Sequence, residues 1–487
     1  MFLNAVLKSM LRIVVKLLGV GSMLFILGCS KPQVPEFKLS EHNPGGSMTV
    51  KRLQTLSYIH PGSAITPMQK LNFWSGFSFF RDPWVIAPSS TKSRDGLGPL
   101  FNTRTCISCH DGGSRGPLSP EGESLPSSLV MKFGKLSTKV ADKSLSLADP
   151  SYGDQLQPRS ILYKHPTLQG TMQGEASLKL TYQTITGKYA DGSEYQLRKP
   201  SYELTHLAYG EVAAHIGLTP RFAPNIFGAG LLDAIDSKDL LAQEDINDRN
   251  NDGISAKYNR VPNVKTGAIE IGRFGLKANH PTLAQQIGAA FRNDIGITNT
   301  FFPTEACTTI QKHCIKTAEL TTAKGSVEIN DKLFSLVLTF NQLLGVPPAR
   351  DLHGELQSKG RAHFYLLGCQ QCHQPSYQTA KNYPVAELAN QIIWPYTDLA
   401  LHDMGKGLAD NVIDHKASGQ EWRTSPLWGI GLQGNVTNRT EFLHDGRARS
   451  ISEAILWHGG EAALAQQKFI QLTELQRKEL LTFLQSI

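Results

Sequence analysis

The chain has 487 residues and a formal net charge of +7, with 40% hydrophobic and 19% charged residues. This balance excludes a disordered chain and a polytopic membrane protein, and it leaves room for two or three domains. Lys8, Arg12 and Lys16 are the only charges in residues 1–28, so +4 remains for the rest of the chain. No basic cluster is interleaved with aromatic residues, which argues against nucleic-acid binding.

The first 28 residues predict a lipoprotein signal peptide. The cations precede an apolar run well under the ~20 residues that span a membrane. The tetrapeptide ending at Cys29 resembles a bacterial lipobox, which implies cleavage before Cys29 and lipidation of its thiol. Ser30 resembles the Gram-negative sorting signal, which implies anchoring at the periplasmic face of the outer membrane. The alternative is an uncleaved signal anchor. Residues 29–50 are rich in Pro, Gly and Ser and are predicted to be a flexible tether.

Two predicted domains, residues 51–345 and 346–487, follow the tether. Alternating residues between 160 and 205 predict a β-hairpin that turns at Asp191-Gly192. An apolar helical pattern stops at Gly345, and we place the boundary between domains 51–345 and 346–487 there. The last residues have the leucine spacing of an amphipathic helix.

Two copies of one short motif carry the chemistry of the chain. They are Cys106, Cys109 and His110 in TRTCISCHDGG, and Cys369, Cys372 and His373 in GCQQCHQPS. CxxCH is the attachment signature of c-type haem, in which the thiols form thioethers and the histidine binds the iron. A zinc site is the alternative. However, the pairs lie about 260 residues apart and each is followed by histidine. The sequence therefore predicts two covalent haems c.

Two cysteines remain after Cys29 and the CxxCH cysteines are set aside. They are Cys307 and Cys314, which lie close together in the sequence. Export would place them in an oxidising compartment, where a short disulfide loop is expected. The alternative is a pair of buried free thiols.

Longer segments resemble the bacterial di-haem oxidoreductase family, which is related to the di-haem cytochrome c peroxidases. They include DGLGPLFNTRTCISCH, RFGLKANHPTLAQQIGAAF and FLHDGRARSISEAILWHGGEA, and the resemblance covers most of residues 70–487. It implies a mainly α-helical protein with two cytochrome c-like haem domains and a β-hairpin insertion in the N-terminal part. Residues 51–345 would hold the first haem and residues 346–487 the second.

The resemblance also implies a peroxidase-type activity. Electrons from a small periplasmic cytochrome or cupredoxin would enter at the C-terminal haem and pass to the N-terminal haem. Hydrogen peroxide or a related oxidant would be reduced there. One alternative is a non-catalytic electron-transfer or redox-sensing di-haem lipoprotein. Another is an enzyme that oxidises a partner protein.

The family pattern suggests ligands for the C-terminal haem. In the peroxidases, the distal ligand follows an HxG histidine by 14 residues. Here His444 begins that motif and His458 occupies the ligand position, where the peroxidases have methionine. The resemblance therefore implies a bis-histidine iron with a lower potential than a His/Met iron. His402 and Met404 are competing ligands, and we interpret His444 as structural.

The N-terminal haem has no obvious distal ligand, because no histidine lies between His110 and His165. Its distal face is predicted to be open or capped by a distant histidine. The candidates are His165, His206 and His215. Peroxide cleavage needs a group that moves a proton between the oxygens. The family pattern implies Glu175 and Gln157 as catalytic candidates.

A polar loop gives a candidate calcium site. In DRNNDGIS, Asp248, Asn250 and Asp252 alternate and Gly253 follows, as in the first half of a calcium loop. The twelfth position is Asn259 and not glutamate, so the loop is no complete EF-hand. The resemblance implies calcium here, because the di-haem peroxidases hold one. The alternative is a solvated turn.

Overall fold

A computed structural model describes residues 34–51, 57–139, 141–162, 173–321 and 326–487. The signal peptide, Cys29 and His165 lie outside these ranges. Within them, Glu36–Ile487 belong to one structural unit. No helix of the described part has the length and apolarity needed to cross a membrane.

Capping residues set several helix starts. Thr66 and Gln69 form a capping box before the first long helix, and Thr473 and Gln476 form another before the last. The helices are α1 (Pro67–Arg81), α2 (Ala229–Asp233), α3 (Ser237–Leu241), α4 (Leu283–Ala290), α5 (Lys312–Thr321), α6 (Asp331–Gln342), α7 (Glu355–Leu367), α8 (Gln433–Thr437), α9 (Ile451–Leu456), α10 (Ala463–Gln471) and α11 (Glu474–Ser486). A π-helical turn, Phe291–Ile295, continues α4.

The strands form small antiparallel sheets. They are β1 (Leu100–Phe101), β2 (Gly122–Ser124), β3 (Leu129–Lys135), β4 (Arg159–Ser160), β5 (Ser177–Lys188), β6 (Glu194–Thr205), β7 (Ile216–Phe222), β8 (Arg260–Pro262), β9 (Ile269–Ile271), β10 (Tyr377–Gln378), β11 (Ile392–Ile393), β12 (Leu401–Asp403) and β13 (Glu421–Arg423). The pairs are β1–β4, β3–β7, β8–β9, β10–β11 and β12–β13, and β2–β5–β6 form a three-stranded sheet.

The prediction of a mainly α-helical fold with cytochrome c-like domains is wrong. Of the described residues, 31% are helical and 19% lie in strands, which are spread over several small sheets. The predicted hairpin is present, and β5 and β6 pair from Ser177 with Thr205 to Lys188 with Glu194. Most other strands have two or three residues. Such strands are too short to show an alternating pattern, and some of them, such as β1 and β4, pair over a long distance in the sequence.

A close helix crossing stands beside each CxxCH motif. At Gly76 of α1, an added Cβ would collide with the Leu336 carbonyl of α6. At Gly360 of α7, an added Cβ would collide with the Glu479 carbonyl of α11. Phe80 at the end of α1 lies 6.1 Å from the His110 ring, measured between centroids. Helix α7 runs directly into the second motif. Glycine therefore lets each helix pair approach closely where a motif must be supported.

Residues 36–50, predicted to belong to the tether, pack against the region after residue 346. Glu41 is buried and accepts hydrogen bonds from the Arg361 guanidinium at 3.0 and 2.9 Å. The indole Nε1 of Trp394 donates to Ser40 Oγ at 3.2 Å. A Pro/Gly/Ser-rich composition gave no sign of this buried ion pair. The domain bounds 51–345 and 346–487 remain a prediction.

Cys307 and Cys314 form a disulfide, with 5.7 Å between their Cα atoms. Cys314 is buried beside Phe334 and Val337 of α6 in the apolar cluster that also contains Phe291. The disulfide therefore holds the start of α5 against the core behind the first motif.

Candidate haem sites

The first motif lies on a short helical turn, Cys106–Ser108, whose start is capped by Thr105. Its hydroxyl accepts a hydrogen bond from the Ser108 amide at 3.2 Å. Cys106 and Cys109 are free thiols and not a disulfide. Burial raises the pKa of both thiols, to about 12 for Cys109. The two sulfurs are therefore neutral and available for covalent attachment.

His110 is held in one tautomer. Its Nδ1 lies 2.9 Å from the Pro224 carbonyl oxygen, which can only accept, so Nδ1 carries the proton. The lone pair is then on Nε2, the atom that binds a metal in this arrangement. Burial lowers the pKa of His110 to about 4, which keeps the ring neutral at pH 7.

A cavity of about 280 Å³ adjoins this motif. Its described wall contains Cys106, Cys109 and His110, together with apolar side chains. The apolar part includes Phe80, Phe227, Phe291, Ile287 and Trp428. Free thiols, a neutral Nε2 and an apolar wall fit a covalently attached haem.

The cavity wall also has an acid–amide pair. The Gln155 amide donates to Asp294 Oδ1 at 2.7 Å and to the Asn293 carbonyl at 3.0 Å. Burial raises the pKa of Asp294 to about 6. The Asp294 carbonyl accepts hydrogen bonds from the amides of Asn102 and Thr103, just before the motif. We did not predict this pair, and no local motif marks it.

The predicted catalytic residues lie behind this pair. Glu175 and Gln157 are buried but do not belong to the cavity's described wall. The Glu175 carboxyl accepts from the Gln157 amide and from the Gln311 side chain, the latter at 2.6 Å. The Gln157 side chain donates to the Asn293 carbonyl, as Gln155 does. Burial raises the pKa of Glu175 to about 8. Their catalytic role stays a prediction.

The described candidates for capping the first iron lie elsewhere. His206 is 74% exposed and contacts Glu123 at 2.6 Å. His215 Nε2 lies 3.2 Å from Ser146 Oγ, and neither histidine lines the cavity.

His280, which we did not predict, does line the cavity. The Gln285 amide nitrogen makes a long contact with His280 Nδ1, at 3.5 Å. That amide is oriented by two backbone groups, because Gln285 also accepts from the Val264 amide and donates to the Pro262 carbonyl. In the described contacts no backbone carbonyl holds Nδ1 of His280, whereas the Pro224 carbonyl fixes the tautomer of His110.

The second motif follows α7 through Gly368, whose φ of 90° belongs to the left-handed region that glycine tolerates. Cys369 and Cys372 are free thiols. His373 Nδ1 lies 2.9 Å from the Tyr396 carbonyl, and burial lowers the pKa of His373 to about 4. The second motif thus repeats the tautomer and the neutral ring of the first.

His458 has the same two features as the histidines of the motifs, a backbone carbonyl against Nδ1 and a lowered pKa. Its Nδ1 lies 2.7 Å from the Ala454 carbonyl at the end of α9, and burial lowers its pKa. His458 is also near enough to His373 to lower the pKa of that histidine electrostatically. The second site therefore has two neighbouring imidazoles, each with a lone pair on Nε2.

The competing ligands are differently placed. His402 Nδ1 lies 2.7 Å from Glu461 Oε2, and His402 Nε2 lies 2.7 Å from Asp398 Oδ2. Burial lowers the pKa of His402, but the Asp398 charge outweighs it and the pKa lies well above the usual value. A charged ring bonded at both nitrogens has no lone pair for iron. The backbone of Met404 packs against Gly459, beside His458.

His444 is buried and stacks on Trp422, with centroids 3.8 Å apart and planes 13° apart. Its Nε2 lies 3.6 Å from Asp445 Oδ2, and its carbonyl accepts a hydrogen bond from the Phe222 amide. Burial lowers the pKa of His444 to about 4. These contacts are those of a packing residue.

In the candidate calcium loop, the carboxylates bond to the loop's own amides. Asp248 accepts from the amides of Asp252 and Gly253 at 2.9 and 3.1 Å. Asn250 Oδ1 also accepts from the Asp252 amide, at 3.1 Å. The described residues contain no group of three or more His, Cys, Asp or Glu side chains arranged to hold a metal ion. Calcium here stays a prediction.

Each CxxCH site has a neutral histidine whose Nε2 lone pair can bind a metal. Two such sites are the arrangement expected of a di-haem protein. A sequence model of the family described as "Di-haem oxidoreductase, putative peroxidase" matches residues 45–487. The chain therefore belongs to this family, and the family predicted from its motifs is confirmed. No curated protein and no solved structure gave a significant match.

Proposed function

We propose that this chain is a di-haem c oxidoreductase of peroxidase type, with an open iron at the first motif and a six-coordinate iron at the second. The number of histidines that present an Nε2 lone pair at each site supports this. His373 and His458 both present Nε2 lone pairs at the second site. At the first site His110 does so, whereas Nδ1 of the cavity-lining His280 makes only a long contact, to Gln285, in the described chain.

We propose that the first site reduces hydrogen peroxide or a related oxidant. A bound c-type haem would supply the electron-transfer chemistry. The chain would supply a largely apolar cavity and groups that hold and move a proton. Asp294, with its pKa raised to about 6, can exchange a proton near neutral pH while Gln155 orients its carboxylate. Glu175 reaches this wall only through Gln157 and Asn293, and remains the alternative acid.

We propose that electrons from a small periplasmic cytochrome or cupredoxin enter at the second motif and reach the first. A short connection between the sites supports transfer between them. Trp428 lines the cavity, and the preceding Leu427 amide donates to the Pro395 carbonyl at 2.9 Å. The next residue, Tyr396, holds His373 through its carbonyl. Residues 427–428 and 395–396 therefore form a hydrogen-bonded connection between the two haem sites.

Turnover tests this proposal against its rivals. The exported holoprotein should oxidise a reduced small c-type cytochrome or cupredoxin when hydrogen peroxide is added, and it should bind cyanide at one iron. A non-catalytic carrier or sensor would do neither. An enzyme that oxidises a partner protein would bind cyanide but would not turn over the small donor.

We also propose, from the N-terminal sequence, that the mature protein is lipid-anchored through Cys29 at the periplasmic face of the outer membrane. Cys29→Ala should give an uncleaved or soluble product in cell fractionation, and a mutant that migrates and fractionates like the wild type would contradict the anchor. Calcium at Asp248, Asn250 and Asp252 is likewise proposed. Calorimetric titration with calcium of the wild type and Asp248→Asn would test it.

A further inference from the structure

The cavity beside the first motif has a strong excess of positive charge. Among its described wall residues, five side chains are cationic and one, Asp294, is a carboxylate. The cationic residues are Arg115, Lys132, Arg221, Arg273 and Arg423. A cavity with this charge is unfavourable unless each cation has a partner.

Three of these cations have partners in the chain. Arg273 donates to the carbonyls of Leu232, Asp233 and Ile235 and to the Ser237 hydroxyl. Arg221 contacts Thr219 Oγ1 at 3.0 Å and Asp414 Oδ2 at 3.4 Å. Lys132 lies 3.9 Å from Asp154 Oδ2. These side chains are therefore accounted for by the fold.

Arg115 and Arg423 are different. Arg115 donates from Nη1 to the Leu443 carbonyl at 2.8 Å, but its buried Nε has no hydrogen-bond partner. Arg423 donates from Nε to the Gly275 carbonyl at 2.9 Å and from Nη1 to the Thr424 carbonyl at 3.0 Å. These bonds leave Nη2 of each without a partner in the described chain. No described carboxylate lies within 4.0 Å of either guanidinium.

Both guanidiniums must remain charged. Burial lowers the pKa of Arg115 and of Arg423 to about 10, which is still far above neutrality. Carbonyl contacts satisfy N–H groups but do not neutralise the charge. An arginine with two free donors in a low-dielectric cavity is best satisfied by a carboxylate, which forms short charge-assisted bonds with the planar fork.

We propose that Arg115 and Arg423 bind the two propionate carboxylates of the haem attached at Cys106 and Cys109. This rests on the proposed function, because it requires a haem in the cavity. Two carboxylates match the two wall arginines whose Nη2 has no partner in the described chain, whereas Nη2 of Arg273 is bonded to Ser237. Arg115 comes from the chain just after His110, and Arg423 comes from β13 in the second half of the chain. The first haem would therefore be held by both halves.

Arg115→Gln and Arg423→Gln test this in the exported holoprotein, with Arg115→Lys and Arg423→Lys as conservative variants. Arg81→Gln is the control, because Arg81 is half-exposed and does not line the cavity. Haem content is measured first, by pyridine haemochrome. Resonance Raman spectroscopy then follows the propionate bending band, which reports hydrogen bonds to the carboxylates. Redox titration at several pH values follows the potential of the N-terminal haem.

Each glutamine variant should shift the propionate band. It should also make the potential fall as pH rises across the weakly acidic range, because an unpaired buried propionate has a raised pKa. The lysine variants should shift the band but keep a pH-independent potential, since they retain the charge. Loss of the first haem in a glutamine variant and its retention in the matching lysine variant would also support the proposal.

Variants with two haems, an unshifted band and the wild-type pH profile would overturn the proposal and leave the proposed function standing. A wild-type protein with fewer than two haems would remove both. A band shift in Arg81→Gln as large as those in the cavity variants would overturn the assignment to Arg115 and Arg423.

Discussion

The two CxxCH sites share a motif and differ in their surroundings. At both, the histidine of the motif donates a hydrogen bond from Nδ1 to a backbone carbonyl, and burial keeps the ring neutral. The first site opens on a cavity with an acid–amide pair, whereas the second has a second histidine prepared in the same way. One attachment motif can therefore serve two roles, and the role depends on residues outside the motif.

The largest effect should come from removing either attachment site. Cys106→Ala and Cys369→Ala should each lower the haem content from two to one per chain, measured by pyridine haemochrome. Cys106→Ala should also abolish peroxide turnover, because the open site is lost. The double variant Cys307→Ala/Cys314→Ala is the matched control and should keep both haems. Zinc in place of haem in the wild type would contradict the account.

Removing His458 should erase the difference in coordination between the sites. His458→Ala should convert the C-terminal iron from low-spin to high-spin and leave the N-terminal iron largely unchanged, as seen by electron paramagnetic resonance. Met404→Leu is the control and should keep the low-spin signal. If Met404→Leu makes the conversion and His458→Ala does not, the methionine is the ligand.

Asp294→Asn should weaken the chemistry of the first site without altering the second. Loss of a proton-transfer group typically lowers the rate about 10²-fold or more. Because burial raises the pKa of Asp294 to about 6, the wild-type rate should rise with pH through this range as the carboxylate forms. The variant should lack this rise. If Glu175→Gln abolishes turnover while Asp294→Asn does not, Glu175 is the proton-transfer group.

A smaller effect is expected on stability near the first site. Burial raises the pKa of Glu175 from 4.5 to about 8, so between these values the folded state holds a proton that the unfolded state has lost. The free energy of unfolding should therefore fall as pH rises from 4.5 to 8, by a few kcal/mol. Glu175→Gln should reduce this slope in denaturant titrations at several pH values. An equal slope in both proteins would show that Glu175 is ionised in the folded state.

The sequence was informative where the signal is local. CxxCH is read within five residues, and the twelve-residue strands β5 and β6 alternate long enough to predict a hairpin. The cavity wall was not predictable in this way. Asp294 follows α4, and Arg423 lies on a three-residue strand, so only tertiary contacts bring either one to His110. The fold class was wrong for a related reason, because many strands are too short to show an alternating pattern and some, such as β1 and β4, pair over long distances.

The most direct test of the account is spectroscopy of the wild-type holoprotein in the oxidised and half-reduced states, with and without cyanide, using electron paramagnetic resonance for ferric iron and optical absorption for the EPR-silent ferrous iron. The account predicts one high-spin and one low-spin iron, at least in the half-reduced state, with cyanide binding at the iron of the first motif. Two low-spin irons at both levels, with no binding of cyanide or peroxide, would contradict it and leave an electron carrier.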